Sequence, residues 1–383
     1  MLYGQPVTVL GGGIAGLSVA RALAMRGAGV TVLEQAEALR EVGAGLQVTP
    51  NGTRVLDALG LGEALRDVGL RSEAVELRSH LGRRVIRMPL SGADYFLVHR
   101  ADLIDLLATG ARDAGVELRL LQQVDDVSLS DDGAELTTAQ GAKRHASLLI
   151  GADGLHSRVR GALNGRNVPF FTRQVAWRAT VEAEGNDPCQ ATVWMGPGRH
   201  LVTYPLRGGR VMNIVAVEER GTWAEEGWHH EDDPEALREA FRDFAAPVRA
   251  LLDRVETVHL WGLFRHTVAK CWHGSCAAIL GDAAHPTLPF LAQGANMALE
   301  DAWVLADRVA AHGVKDGLAA YQAARRDRTE KVIEAANRNA RNYHLSGLKA
   351  VVGHGFLRAT DTVAPSAMIR RFDWIYGYDA TSA

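Results

Sequence analysis

Cysteine is scarce in this 383-residue chain: Cys189, Cys271 and Cys276 cannot all pair, and none stands in a CxxC. That excludes a disulfide framework and a redox dithiol, and a reducing cytoplasm is the expected setting. Charge of one sign is lacking too, since Lys+Arg 42 against Asp+Glu 45 leaves a formal net charge of -3. No sequence-wide footprint for nucleic acid or an anionic membrane follows, so the expected partner is a small molecule. No uninterrupted apolar run approaches the roughly 18 residues that span a bilayer. The opening MLYGQPVTVLGGG has no basic stretch ahead of its apolar one, so a soluble protein without a leader is expected. Glycine is what the chain has in excess, 40 residues, about 10% against a usual 7%. At roughly 150 residues per domain the length corresponds to two or three domains, enough for a large core.

The first glycines follow a strand. Val7 to Leu10 is a short apolar run suited to a buried parallel strand, and Gly11, Gly12, Gly13, Ile14, Ala15 and Gly16 then satisfy GxGxxG. A helical stretch, Leu17 to Arg26, is predicted next, broken by Gly27 and Gly29 before a second strand, Val30 to Leu33, ends in Glu34. This βαβ unit binds a dinucleotide by known physics. Its glycines allow a tight turn and close approach to a pyrophosphate, the helix N-terminus offers positive partial charge, and Glu34 accepts from ribose hydroxyls. An acid here argues against a 2'-phosphate and leaves NAD and FAD both open.

Two further strands end in the same way. Leu148 to Ile150 runs into Gly151, Ala152, Asp153 and Gly154; Ala277 to Leu280 runs into Gly281, Asp282, Ala283 and Ala284. Ligands of open α/β sheets collect outside the carboxyl ends of the strands, so three such turns converge on one long ligand. After Pro286 and Pro289, residues Ala295, Ala298, Leu299, Ala302, Leu305 and Val309 recur at helical spacing, which places a helix N-terminus near Gly294. That end suits a group that becomes anionic. Between the second and third turns, Val175 to Glu182, Ala191 to Met195, His200 to Pro205 and Val211 to Val217 read as strands. With Val75 to Ser79 and Arg84 to Met88 they predict an antiparallel substrate layer inserted into the nucleotide domain. The run His229 to Asp233 looks superficially like a metal cluster, but Asp233 before Pro234 reads as the N-cap of a helix, so no metal is expected.

Together these stretches resemble the single-component flavoprotein aromatic hydroxylases, the group typified by para-hydroxybenzoate hydroxylase. The resemblance rests on GGGIAG at 11 to 16, Glu34, GAGLQVTPNG at 43 to 52, HRADL at 99 to 103, GADGLHSRVR at 151 to 160 and GDAAHPTLPFLAQGANMALEDA at 281 to 302. GPGRHLVTYPL at 196 to 206 and WIYGYDA at 374 to 380 look closest to the salicylate, 3-hydroxybenzoate and 6-hydroxynicotinate hydroxylase branch. It implies an α/β fold: a Rossmann-like FAD-binding domain of the GR2 type (1–72, 96–172 and 268–330), an inserted β-sheet substrate domain (73–95 and 173–267) and a helical, aromatic tail (331–383). FAD is the implied bound cofactor, NADH or NADPH a transient co-substrate, and O2 and a small aromatic acid the other partners of a monomer or homodimer. The implied chemistry is ring hydroxylation through a hydroperoxide on flavin carbon 4a.

In such enzymes Glu34 and Gln35 lie at the adenosine ribose, Gly13, Ala15, Gly16 and Arg100 at the pyrophosphate, Asp282 at the ribityl chain, and Arg40 and Val124 toward the adenosine. Asp153 and Gly154 belong to a motif serving both FAD and NAD(P)H. Gly294, Ala295 and Asn296 then offer backbone amides to the pyrimidine edge of the flavin. For the substrate, His200 is the expected catalytic base, because electrophilic oxygen needs an electron-rich ring and removing a phenol proton provides one. Gln293 is expected to orient the same hydroxyl, with Gln47, Tyr204 and Phe290 lining the pocket. His200 and Tyr204 share a strand face but stand about 13 Å apart, too far to hold one oxygen together. Trp177 and Arg178 point to opposite faces; a structural salt bridge is the expected use of Arg178, with pairing of a substrate carboxylate the alternative. A related epoxidase or a flavin-binding redox sensor without enzymatic activity are the competing classes.

Overall fold

The apolar run before the first glycine turn becomes the strand Pro6–Leu10, at the centre of a five-stranded parallel sheet in a computed structural model that describes residues 1–39, 45–90, 92–166, 168–222, 230–363 and 365–382. The order is Ala277–Ile279, Leu149–Gly151, Pro6–Leu10, Gly29–Leu33, Glu117–Arg119. Val9, Val32 and Ile150 are wholly buried, as strands covered on both faces require. The three strands that carry the glycine turns are neighbours and all parallel, so their turns leave from one edge of the sheet. The first helix spans Ile14–Ala24 and starts three residues earlier than the periodicity predicted. Its N-cap is Gly13, so Gly16 already lies in the first turn.

The second layer is an eight-stranded sheet in the order Glu231–Asp232, Val258–Arg265, Phe170–Glu182, Val211–Glu219, Arg199–Leu206, Gln190–Gly196, Ala74–Ser79, Arg84–Pro89. All six predicted strands are in it. The sheet is not purely antiparallel, however: Gln190–Gly196 pairs parallel with Ala74–Ser79, because the hairpin 74–89 is reached from elsewhere in the chain and adds to the sheet's side. Val258–Arg265 is a further strand that the pattern did not disclose. Side chains alternate between faces. Trp177, Leu201, Ile214 and Ala216 pack on one face against Leu237 and Val248 of two short helices and Phe241 and Phe244 of the turn between them. The opposite face carries Ala176, Val202, Val215 and Val217, which meet Leu288, Phe290 and Tyr343.

A thirty-residue helix, Val314–Tyr343, links the layers. Near its start Tyr321 donates to the carbonyl of Ile279 in the parallel sheet (3.2 Å), and near its end Tyr343 packs on His200 of the other sheet. It runs unbroken through residue 330, where the tail was expected to begin, and is followed by helices Gly347–Val363, Pro365–Arg370 and Asp373–Tyr376. The terminal aromatics pack on this helix, Arg328 stacking over Tyr378 at 3.8 Å and Lys331 over Trp374 at 4.3 Å. Among the described residues no helix is long and apolar enough to cross a membrane.

Candidate active site

The three glycine turns touch one another. A Cβ on Gly11 (φ +104°) would lie 2.3 Å from the Ala152 carbonyl oxygen, one on Gly16 1.9 Å from the Gly11 oxygen, and one on Gly281 (φ +59°) 3.1 Å from the Ala15 Cβ. Only glycine fits at the first two. The circle closes through buried Arg160, which donates to the carbonyls of Ala283 and Ala284 (both 3.1 Å) and of Thr267 (2.7 Å). A Cβ on Gly13 would meet nothing within 4 Å, so the cluster is packed inside and open on the side a ligand would approach.

Polar groups surround that open side. No side chain caps the helix Ile14–Ala24, so its first amides and dipole face outward. The Glu34 carboxylate accepts from the amides of Gly12 (2.6 Å) and Ala36 (2.8 Å), which fix it while each oxygen keeps a second lone pair. Gln35 beside it is exposed, Val124 is buried in the main core, and Arg40 lies outside the described residues. Asp153 accepts from Ser157 Oγ (2.5 Å) and the Arg158 amide (2.7 Å), which ties its loop to the helix Arg158–Asn164. Asp282 is open to solvent, yet enough protein surrounds it that burial raises its carboxyl above the usual range, with His285 and Arg100 opposing. Both observations hold for a residue lining a deep cleft. Arg100 is its counterpart, lowered by burial and held up by Asp282.

The helix Gly294–His312 begins with Gln293 as N-cap and no capping side chain. Met297 is the first residue whose amide bonds back, to Gln293, so the amides of Gly294, Ala295 and Asn296 lead the helix. The preceding Ala292 adopts φ +53°, a strained conformation for alanine. Asn296 holds it there, donating to the Ala292 carbonyl (2.7 Å) and accepting from the Thr49 amide (2.9 Å). The Gln293 amide donates to Thr49 Oγ (3.0 Å) and accepts from Asn51 (3.0 Å). Both ends of the side chain thus brace the loop.

Beneath this turn lies an ion network that sequence reasoning missed. Arg325 sits between Glu300 (2.6 Å) and Asp301 (2.8 Å), all three 0% exposed. Asp301 also meets His285 (2.5 Å) and the Gly281 amide (3.1 Å), while Glu300 meets Arg328 (2.8 Å) and Asn51 (2.7 Å). Burial alone would raise Asp301, but His285 and Arg325 outweigh it and hold the carboxyl at about 2. The signal was present: Glu300 and Asp301 interrupt an otherwise apolar helix face.

Leu288 and Phe290, just ahead of this turn, pack on the second face of the eight-stranded sheet. His200 is 2% exposed, with Phe290 (5.4 Å) and Tyr343 (5.3 Å) against its ring. Burial and then His344 keep it well below the ordinary histidine range. Tyr204 packs on the backbone of Gly45, where a Cβ would lie 2.4 Å from its ring. Gln47 accepts from the Tyr95 hydroxyl at 2.5 Å and also meets Tyr204. Trp177 points away and donates to Asp232 (2.7 Å); Arg178 points inward and stacks on Trp261 at 4.3 Å, where burial and Arg100 bring it down to about 9. The Asp233 carboxylate accepts from the Glu235 amide as a helix N-cap; His229 lies outside the described residues.

The donor set fits FAD. Two uncapped helix N-termini, a cluster of side-chain-free turns, and carboxylates at Glu34 and Asp282 match a ligand with anionic phosphates, hydroxyl-rich ribose and ribityl, and an isoalloxazine whose reduced form is negative. The chain is 37% identical to the 3-amino-4-hydroxybenzoate 2-monooxygenase of Streptomyces cremeus, over 98% of this chain and 95% of that protein. It is 33% identical to the 3-hydroxybenzoate 6-hydroxylase of Polaromonas naphthalenivorans (strain CJ2), over 98% and 96%. Its fold matches a salicylate hydroxylase solved as a substrate complex, with a TM-score of 0.84 and 25% identity over 99% of this chain and 96% of that one. The FAD binding domain family matches residues 5–336, and the chain belongs to that family of flavoproteins.

Proposed function

We propose that the protein is an FAD-dependent monooxygenase of the cytoplasm that hydroxylates a small hydroxylated aromatic acid, taking electrons from NADH or NADPH and oxygen from O2. The observation that carries this reading is the placement of buried His200 against Phe290, four residues ahead of the uncapped helix that starts at Gly294. The base assigned here to the substrate thus stands beside the turn that leads into the amides assigned to the flavin. Bound FAD, once reduced, supplies an electrophilic oxygen. Residues 1–72, 96–172 and 268–330 form the cofactor unit in this reading, with the substrate unit from 73–95 and 173–267 laid over it.

The chain's own residues then bind, orient and exclude water. Glu34, with Gln35 alongside, holds the adenosine ribose; Gly13, Ala15, Gly16 and Arg100 receive the pyrophosphate; Asp282 takes the ribityl hydroxyls. The amides of Gly294, Ala295 and Asn296 stabilise negative charge on the flavin edge at no cost in reorganisation, since the helix already points there. His200 removes the phenol proton and so makes the ring electron-rich. Arg178 pairs the substrate carboxylate, which would relieve the mutual repulsion of Arg178 and Arg100 that their burial intensifies. Phe290 and Tyr204 form walls, Gln47 faces the far end, and Gln293 positions the loop. Dry walls matter because early water access would release hydrogen peroxide instead of product.

Purified protein should be yellow and should oxidise NAD(P)H faster when the right aromatic is added. A screen of aminohydroxybenzoates, hydroxybenzoates and hydroxypyridines, read by oxygen uptake and product mass, identifies the substrate. Protein that takes up no FAD overturns the reading, and FAD binding with no aromatic-dependent NAD(P)H consumption replaces it with a redox sensor.

A further inference from the structure

His200 has a companion that the hydroxylase reading does not use. Its Nδ1 lies 2.7 Å from Nε2 of His344, and Nδ1 of His344 lies 2.6 Å from Oε1 of Glu219. The side chain of His344 is 3% exposed and that of Glu219 54%, so two hydrogen bonds lead from the buried pocket to the surface. We propose that His344 and Glu219 form, with His200, a proton relay that carries the substrate's hydroxyl proton from the closed pocket to solvent. The proposal rests on the hydroxylase reading above.

The hydrogen-bond directions follow from the end of the chain. A carboxylate only accepts, so Nδ1 of His344 carries a proton and donates it to Glu219. Its Nε2 then holds a lone pair, and the proton between the two rings belongs to Nδ1 of His200. Nε2 of His200 is thereby left unprotonated, the form a base needs. On transfer, the substrate O–H bond breaks as an N–H forms on His200 Nε2. His200 Nδ1–H breaks as His344 Nε2–H forms, and His344 Nδ1–H breaks as an O–H forms on Glu219, which releases the proton to water. No electrons leave any group, both rings end neutral in the opposite tautomer, and return of a proton along the same path resets them.

The relay removes a difficulty that a lone His200 would face. An imidazolium in a closed apolar pocket is costly. Burial holds His200 down, with His344 adding to it, and burial holds His344 down against the pull of Glu219. Neither ring is therefore a resting place for the proton. Among the described residues the titratable groups facing His200 are Tyr343 at the end of the long helix and His344 at its cap, with Glu219 behind His344; the adjacent strands bring Met195 and Val217 opposite it, and the turn brings Phe290. His344 and Glu219 act through His200 and are positioning residues.

His344→Gln is the deciding variant, because glutamine keeps a donor and an acceptor but cannot exchange tautomers. FAD-loaded protein is mixed with 3-amino-4-hydroxybenzoate or 3-hydroxybenzoate, and phenolate absorbance is followed against pH. In His344→Gln and Glu219→Gln the pH midpoint of bound-probe ionisation should rise by about one unit or more, and ionisation should slow at least about tenfold, a modest part of what a general base contributes. FAD and probe affinities should stay near wild type, which a merely structural role for His344 would not predict. Wild-type midpoint and rate in His344→Gln overturn the relay, as does a wild-type enzyme that turns over the probe but binds it un-ionised. Absence of NAD(P)H oxidation with either probe is a failure of the hydroxylase reading instead. In that event nitrogen-15 NMR of the FAD-loaded protein decides the relay: both rings in the Nδ1–H form support it, and an Nε2–H form in either overturns it.

Discussion

Replacing Arg325 with methionine should destabilise the protein more than any surface change, and the structure says by how much. Arg325 is 0% exposed and bridges Glu300 and Asp301, themselves 0% exposed. Methionine fills a similar volume but leaves both carboxylates short of a cation: Glu300 retains Arg328 and Asn51, and Asp301 retains His285 and the Gly281 amide. Breaking a buried pair by removing one partner costs about 3–5 kcal/mol. The retained partners place the expected loss near the lower bound, about 3 kcal/mol, or a fall in Tm of several degrees. The effect should depend on pH with a definite sign. Asp301 sits at about 2, below its unfolded value, so it stabilises the fold above the ordinary aspartate range and that contribution disappears as pH falls through about 2. Without Arg325 the carboxyl rises, and the loss should begin at higher pH. The assay is thermal unfolding of the FAD-loaded protein between pH 3 and 7, with flavin fluorescence reporting release. An Arg325→Met protein with the wild-type Tm across that range would refute the reasoning that this network holds the Gly281 and Gly294 turns in place.

Three further outcomes are expected. His200→Ala should keep FAD but lose about 10²-fold or more in hydroxylation rate, with NAD(P)H oxidation diverted to peroxide; coupled turnover at the wild-type rate would exclude it as the base. Gly16→Ala places a Cβ 1.9 Å from the Gly11 oxygen, so the purified protein should be colourless; a yellow variant with unchanged FAD affinity would contradict the packing argument. Glu34→Ala removes a charge-assisted bond worth about 1.5–3 kcal/mol, so FAD affinity should fall roughly 10- to 100-fold by titration; an unchanged Kd would move the adenosine ribose elsewhere.

The nucleotide half was legible in the sequence because each of its signals is local. A strand, a glycine turn and an acid lie within a few residues of one another, and the chemistry of each turn needs no distant partner. What remained hidden depends on contacts across long separations. Gln293 reads as part of a turn, but its partners Thr49 and Asn51 stand 244 and 242 positions away, and only they reveal that its amide is already engaged. His344 is 144 positions from His200 and follows a long polar helix with nothing to mark it. The parallel seam between Ala74–Ser79 and Gln190–Gly196 has no sequence signature, since either strand direction shows the same alternation. The stacking of Arg178 on Trp261 likewise joins two strands more than 80 positions apart, and neither residue announces the other in the sequence.

The most direct test of the central claim is hydroxylation by the FAD-reconstituted protein with NAD(P)H and isotopically labelled O2, across the aromatic acid panel. Hydroxylation of a bound aromatic predicts NAD(P)H oxidation that accelerates with one panel member and a product that carries one labelled oxygen atom. Label found only in peroxide and water for every aromatic tried, with NAD(P)H consumption unaffected by their presence, would contradict it.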